Sequence, residues 1–167
     1  NHAAVAPLPQ SVAEAMRARI AEQEAVGSAN WRDWVETEMS VRALAADLVA
    51  CRPEDVTLVR STSEGLSLVA GGLGLGPGDA VLVSDEDFAA NVAPYLMLQR
   101  DGVEVRRFPA PDGKIVLDEV VPLLCPPVRV LGLSWVSFHT GWVAPVAELA
   151  EVAHARGILV VLDAIQG

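Results

Sequence analysis

Asp163 is the first polar residue after the apolar run Ile158 to Leu162, and Gln166 follows three positions on. In an open α/β sheet, ligands bind beyond the carboxyl ends of the strands, so a carboxylate ending such a run is placed to meet one. A buried carboxylate needs a partner, and a protonated ring nitrogen is one that the carboxylate would keep cationic. An Asp that merely caps the following loop needs no ligand. The stretch Ser61-Thr62-Ser63-Glu64-Gly65 precedes a helical pattern, where free backbone N–H groups, the positive end of the helix dipole and the hydroxyls together suit a phosphate. Ser61 followed by Glu64 also reads as a capping box, which satisfies the same N–H groups without an anion. Asp87-Phe88-Ala89-Ala90-Asn91 offers a ring, Phe88, able to lie on a planar ligand, although a lone Phe equally suits a core. Ser137-Phe138-His139-Thr140-Gly141-Trp142 adds hydroxyls and an imidazole.

The elements that would position these residues are legible from periodicity. Apolar residues recur three and four apart from Ser11 to about Val26 and from about Trp31 to Val49, with Gly27-Ser28-Ala29-Asn30 between them, which predicts two amphipathic helices. The proline-interrupted segment before them cannot be helical. Short apolar runs bounded by turn residues predict strands over Val56 to Val59, Ala80 to Val83, Val103 to Phe108, Val128 to Leu133 and Ile158 to Leu162. Helical patterns over Glu64 to Gly71, Asn91 to Arg100 and Pro145 to Arg156 lie between several of them. Runs without polar alternation suit strands covered on both faces, so the expectation is an α/β fold with a mainly parallel sheet. All four candidate motifs follow an expected strand, and in a parallel sheet those ends share one edge.

Composition narrows the function classes. With 12 Lys+Arg against 22 Asp+Glu, the formal net charge of -10 disfavours nucleic acid and anionic membrane surfaces as partners and leaves a small molecule. No apolar run reaches the length of a membrane span and no signal-peptide pattern opens the sequence, so a cytoplasmic protein is expected. Cys51 and Cys125 lie far apart without histidines at metal-ligand spacing; they are expected as buried small hydrophobes, with no metal site.

Four strings taken in order carry a family resemblance: Val59 to Ala70 (VRSTSEGLSLVA), the run from Phe88 (FAANVAPY), the run from Val136 (VSFHTG) and Leu162 to Gly167 (LDAIQG). With the opening Asn1-His2-Ala3-Ala4, they resemble class V aminotransferases, a family that includes cysteine desulfurases, kynureninases and isopenicillin-N-epimerase-like enzymes. The resemblance implies pyridoxal 5'-phosphate (PLP) as cofactor and a three-layer αβα PLP-transferase large domain. Residues 1–52 would form an N-terminal extended segment and helices, residues 53–167 part of the large domain, and the C-terminal small domain would be absent. Thr62 and Ser63 would hold the phosphate, Phe88 would stack on the ring, Asp163 would pair with the ring nitrogen and Gln166 would approach the phenolic oxygen. Asp163 would be the catalytic residue of the chain. An amino acid or amine substrate and a homodimer are likewise implied.

Two positions depart from the family pattern: Phe88 stands where cysteine desulfurases commonly carry histidine, as in kynureninases, and Phe138 where several members carry Asn. The resemblance puts the Schiff-base lysine downstream of Asp163 and Gln166. The single lysine, Lys114, sits in an expected exposed turn, so the chain is expected to be part of a longer enzyme and inactive alone. A phosphometabolite- or nucleotide-binding α/β domain without covalent chemistry is the alternative, and a non-catalytic interaction domain a third reading.

Overall fold

Apolar residues that alternate along a strand must be covered on two faces, and the arrangement of the helices follows from that demand. The computed structural model describes Ala3 and residues 5–167. Asn1, His2 and Ala4, and with them most of the opening resemblance, lie outside the described residues. The chain forms two compact units, one ending at Leu58 and the other spanning Val59–Gly167.

The first unit holds helices α1 (Gln10–Val26) and α2 (Trp31–Val49). Their junction is tied by the Asn30 side-chain amide, which donates to Glu22 at 2.8 Å. Arg19 lies over the Trp34 ring at 5.4 Å from its centroid.

The second unit contains α3 (Thr62–Gly72), β1 (Ala80–Ser84), α4 (Ala89–Leu98), β2 (Glu104–Phe108), α5 (Leu117–Val120), β3 (Val128–Ser134), α6 (Val146–Ala155) and β4 (Leu159–Asp163). The four strands pair in parallel in the order β2-β1-β3-β4. Leu82, Leu131 and Leu133 point to one face of the sheet and pack with Val120 of α5 and with Leu149 and Ala153 of α6. Val81, Val83 and Val130 point to the other and pack with Ala70 of α3 and Tyr95 of α4. This is the expected three-layer α/β architecture. The chain leaves β1 for β2 on one side and returns to β3 on the other, so the β1/β3 boundary is the switch point of the sheet, where a crevice opens beyond the strand ends.

Two expectations need correction. Val56 to Val59 form no strand; Val56 is extended (φ -99°, ψ 127°), but no strand pairs with these residues among the described ones, and propensity alone does not make a ladder. The expected strand over Ile158 to Leu162 is present as β4 (Leu159–Asp163), the last in the order β2-β1-β3-β4. Cys51 and Cys125 are both exposed, because they lie in the connections after α2 and before the Pro126-Pro127 turn rather than in core elements. Among the described residues, no helix is long and apolar enough to cross a membrane.

One close approach fixes the packing of α4 on the sheet. A Cβ at Gly132 in β3 would lie 2.9 Å from Tyr95 Cε2 and 3.3 Å from Val83 Cγ1, so the ring occupies space that only glycine leaves open. The Tyr95 hydroxyl is buried without a hydrogen-bond partner among the described residues, and burial pushes its pKa up to about 12. Gly132→Ala is expected to cost about 1–3 kcal/mol in urea unfolding. Tyr95→Phe is expected to leave stability unchanged or raise it, because it removes an unpaired buried hydroxyl.

Candidate functional site at the carboxyl ends of the strands

Parallel pairing in register brings the last residues of β3 and β4, Ser134 and Asp163, side by side. The backbone then turns away: the Trp135 N–H donates to the Asp163 carbonyl at 2.9 Å, and the Ile165 N–H donates to Asp163 Oδ1 at 2.9 Å. Asp163 is only 6% exposed. Across the switch point, α4 begins at Ala89, two residues earlier than its periodicity suggested, so Asn91 falls in its first turn.

Asn91, 2% exposed, joins the two sides. Its Nδ2 donates to Ser134 Oγ at 2.7 Å, to Asp87 Oδ1 at 3.1 Å and to Asp163 Oδ2 at 3.2 Å. Ser134 Oγ donates in turn to Asp87 Oδ1 at 2.7 Å, and the Ser134 N–H donates to Asp87 Oδ2 at 3.1 Å. The Phe88 N–H completes the shell of Asp87 at 2.7 Å. Every donor to these two carboxylates is neutral, and among the described residues neither carboxylate takes part in an ion pair. Two anions thus meet one amide nitrogen with no cation to offset them, a setting that favours a positively charged ligand group.

Phe88 precedes α4 and packs edge-on against Phe138, with ring centroids 5.1 Å apart and planes at 72°. Both rings are about half exposed, at 49% and 53%, so a ring face is left for a planar ligand. Phe138 belongs to a loop closed by the Ala144 N–H donating to the Trp135 carbonyl at 2.8 Å. Trp142 Nε1 anchors that loop to the Ile115 carbonyl at 3.3 Å. His139 is exposed beside Phe138. A shallow cleft lined by Ser84, Asp87, Ser134, Ser137 and Phe138 lies next to the network.

At the start of α3, the capping alternative is realised: Ser61 Oγ accepts from the Glu64 N–H at 3.2 Å. The Glu64 carboxylate accepts from the Arg60 N–H at 2.7 Å and pairs with the Arg60 guanidinium, which holds it below the usual carboxylate range. The cap does not use everything. The N–H groups of Thr62 and Ser63, in the first helical turn, have no acceptor within the helix. Ser63 lies in a groove shared with Ala89 and Ala90, which directly follow Phe88, so α3 and α4 present their N-terminal turns together. Gln166 is half-buried in the turn closed by the Gly167 N–H to the Ala164 carbonyl at 3.0 Å. Lys114 is exposed.

The family model for class-V aminotransferases matches residues 1–167. The chain belongs to the class-V aminotransferase family. A cysteine desulfurase of Klebsiella pneumoniae is 39% identical over 133 residues, covering 76% of this chain and 33% of that protein. A cysteine desulfurase of Cronobacter sakazakii is 36% identical over the same shares. The chain therefore spans about a third of the length of these curated relatives. Among solved structures, the cysteine desulfurase CsdA of Escherichia coli superposes with a TM-score of 0.81 at 26% identity, covering 96% of this chain and 43% of that one. A C-DES variant with glycine covalently linked to its PLP cofactor gives a TM-score of 0.86 at 23% identity, over 96% and 44% of the respective chains. For this class-V member, the likeness to solved structures settles the PLP-transferase fold.

Asp87, Asn91 and Ser134 were not among the expected cofactor contacts. A signal was available for two of them: Asp87 and Asn91 are four apart where a strand hands over to a helix, the spacing that lets side chains meet on a first turn. Ser134 carried none, as a single hydroxyl at the end of an apolar run. Ser61→Ala is expected to speed amide exchange in the first turn of α3, through loss of about 1 kcal/mol of cap stabilisation, without moving exchange in β3. The Arg60–Glu64 contribution should be present at neutral pH and fade only as pH falls through the depressed Glu64 pKa. Exchange in that turn, followed down an acid series, would read it.

Proposed function

We propose that the protein carrying this chain is a PLP-dependent enzyme that acts on an amino acid or amine, with residues 53–167 forming part of its cofactor-binding large domain. Asp163 carries the reading. Its carboxylate is nearly buried at the open end of the sheet beside a second carboxylate, and among the described residues no cationic side chain pairs with either. A protonated pyridine nitrogen fits that need. The unclaimed N–H groups and hydroxyls of Thr62 and Ser63 at the positive end of α3 fit a phosphate.

In this reading, Thr62 and Ser63 would hold the phosphate. Phe88 covers one ring face and keeps water from it. A phenyl ring has no proton to exchange, so Phe88 orients and shields but does no acid–base work. Gln166 donates its side-chain amide to the phenolic oxygen. Asp163 keeps the ring nitrogen protonated, because a nearby anion favours the charged form. When bound, PLP supplies an electron-poor ring that accepts charge from the substrate carbon. Lys114 is exposed on the turn after β2, and the reading assigns the lysine that anchors the cofactor to a part of the longer protein outside these residues.

The names of the curated relatives favour an amino acid with a carbon–sulfur bond, so cysteine is the first substrate to offer. Phe88 in place of the histidine common in desulfurases supports a second reading, transfer or cleavage on an amino acid without a sulfur-stage proton donor at that position. A non-covalent nucleotide-binding domain accounts less well for the unpaired carboxylates, since a phosphate turn alone would serve it. A homodimer in the cytoplasm is part of the proposal.

The whole protein incubated with PLP is expected to show a bound-cofactor absorbance band that shifts on borohydride reduction and is much weaker in Asp163→Ala. Alanine formation from L-cysteine, with sulfide released when a thiol reductant is added, would support the desulfurase form, and oxo-acid formation without sulfide the other. Absence of any bound band from the whole unsubstituted protein would overturn the enzyme reading.

A further inference from the structure

A carboxylate at a strand end has freedom about its side-chain torsions, and its value to a ligand depends on what fixes it. The Ile165 N–H holds Asp163 Oδ1 at 2.9 Å, and among the described residues only the Asn91 amide reaches Oδ2, at 3.2 Å. The orientation of that amide is itself fixed. Its nitrogen faces Ser134 Oγ, Asp87 Oδ1 and Asp163 Oδ2, and a reversed amide would turn its carbonyl oxygen toward two carboxylates. Ser134 makes the shortest of these contacts, at 2.7 Å, and its hydroxyl donates in turn to Asp87 at 2.7 Å. Asp87 is held by the Ser134 and Phe88 N–H groups, at 3.1 Å and 2.7 Å. The amide thus offers its two hydrogens to three acceptors, Ser134 Oγ, Asp87 Oδ1 and Asp163 Oδ2, and Ser134 Oγ itself donates to Asp87.

We infer that Asn91 is a positioning residue for Asp163, oriented by Ser134 and Asp87, and that through Asp163 it sets how firmly a ligand ring nitrogen keeps its proton. The inference rests on the PLP reading of the site. It makes the polar residues on three elements, α4, β3 and the β1–α4 turn, one unit whose output is the aim of a single carboxylate. A purely local effect of Asn91 would have the opposite sign. An amide that donates to a carboxylate draws charge from it, so losing that donor alone would strengthen the hold of Asp163 on a ring proton. Losing the aim weakens it.

The test uses the whole protein loaded with PLP labelled with nitrogen-15 in the ring, and follows the ring nitrogen shift against pH. In Asn91→Ala, the ring nitrogen is expected to lose its proton at a pH lower by about one unit or more, a tenfold change in proton affinity. Ser134→Ala should move it in the same direction by less. Ser134→Thr, which keeps the hydroxyl, should restore the unsubstituted value. If Asn91→Ala does not fold or load, the Ser134 pair decides: equal titrations of Ser134→Ala, Ser134→Thr and the unsubstituted protein overturn the inference. An unchanged or raised midpoint in loaded Asn91→Ala overturns it while leaving the PLP reading intact. Failure of the unsubstituted protein to bind PLP removes that reading and this inference with it.

Discussion

The buried carboxylate of Asp163 is the constraint around which the second unit is arranged. Taking an anion out of water is costly unless hydrogen bonds and an opposite charge replace the water. The protein supplies the hydrogen bonds, from Ile165 and Asn91, and sets a second carboxylate, Asp87, against the same amide nitrogen. Among the described residues, no positive charge pairs with either carboxylate. A site built in this way is poised for a cationic ligand group, and that is a stronger functional pointer than any one motif.

The fold makes the arrangement inexpensive. Asp163 and Ser134 are neighbours because β3 and β4 pair in parallel and in register, and Asp87 follows β1, on the other side of β3. Two faces of packed aliphatic side chains hold those strand ends in place. Gly132 lets Tyr95 seat α4 close to β3, which brings the first turn of α4, and with it Asn91, to the strand ends. Packing in the core thus sets the geometry of the polar atoms at the strand ends.

Much of this was legible in the sequence where local chemistry decides the outcome. Apolar runs bounded by glycine, proline, serine or aspartate located β1 to β4, and the Ser61–Glu64 spacing located the cap of α3. Reading failed where the outcome depends on a partner. Val56 to Val59 have strand residues but, among the described residues, no strand beside them. Cys51 and Cys125 have a buried residue type in exposed connections. The family resemblance pointed to Asp163, but not to the network that holds it, because Ser134 joins Asp163 through sheet register and Asn91 joins it 72 residues away in sequence.

The account stands on the pairing of Asp163 with a ring nitrogen, and a cofactor analogue addresses that pairing without altering the protein. The measurement is the relative affinity of the whole protein for PLP and for a carbocyclic analogue in which C–H replaces the ring nitrogen. The phosphate, ring face and phenolic oxygen are the same in both. If Asp163 is held for the ring nitrogen, the analogue should bind at least about tenfold more weakly, since it leaves a buried carboxylate unpaired. Equal affinity for the two would contradict the account, and would mean that the two carboxylates serve the fold rather than the cofactor.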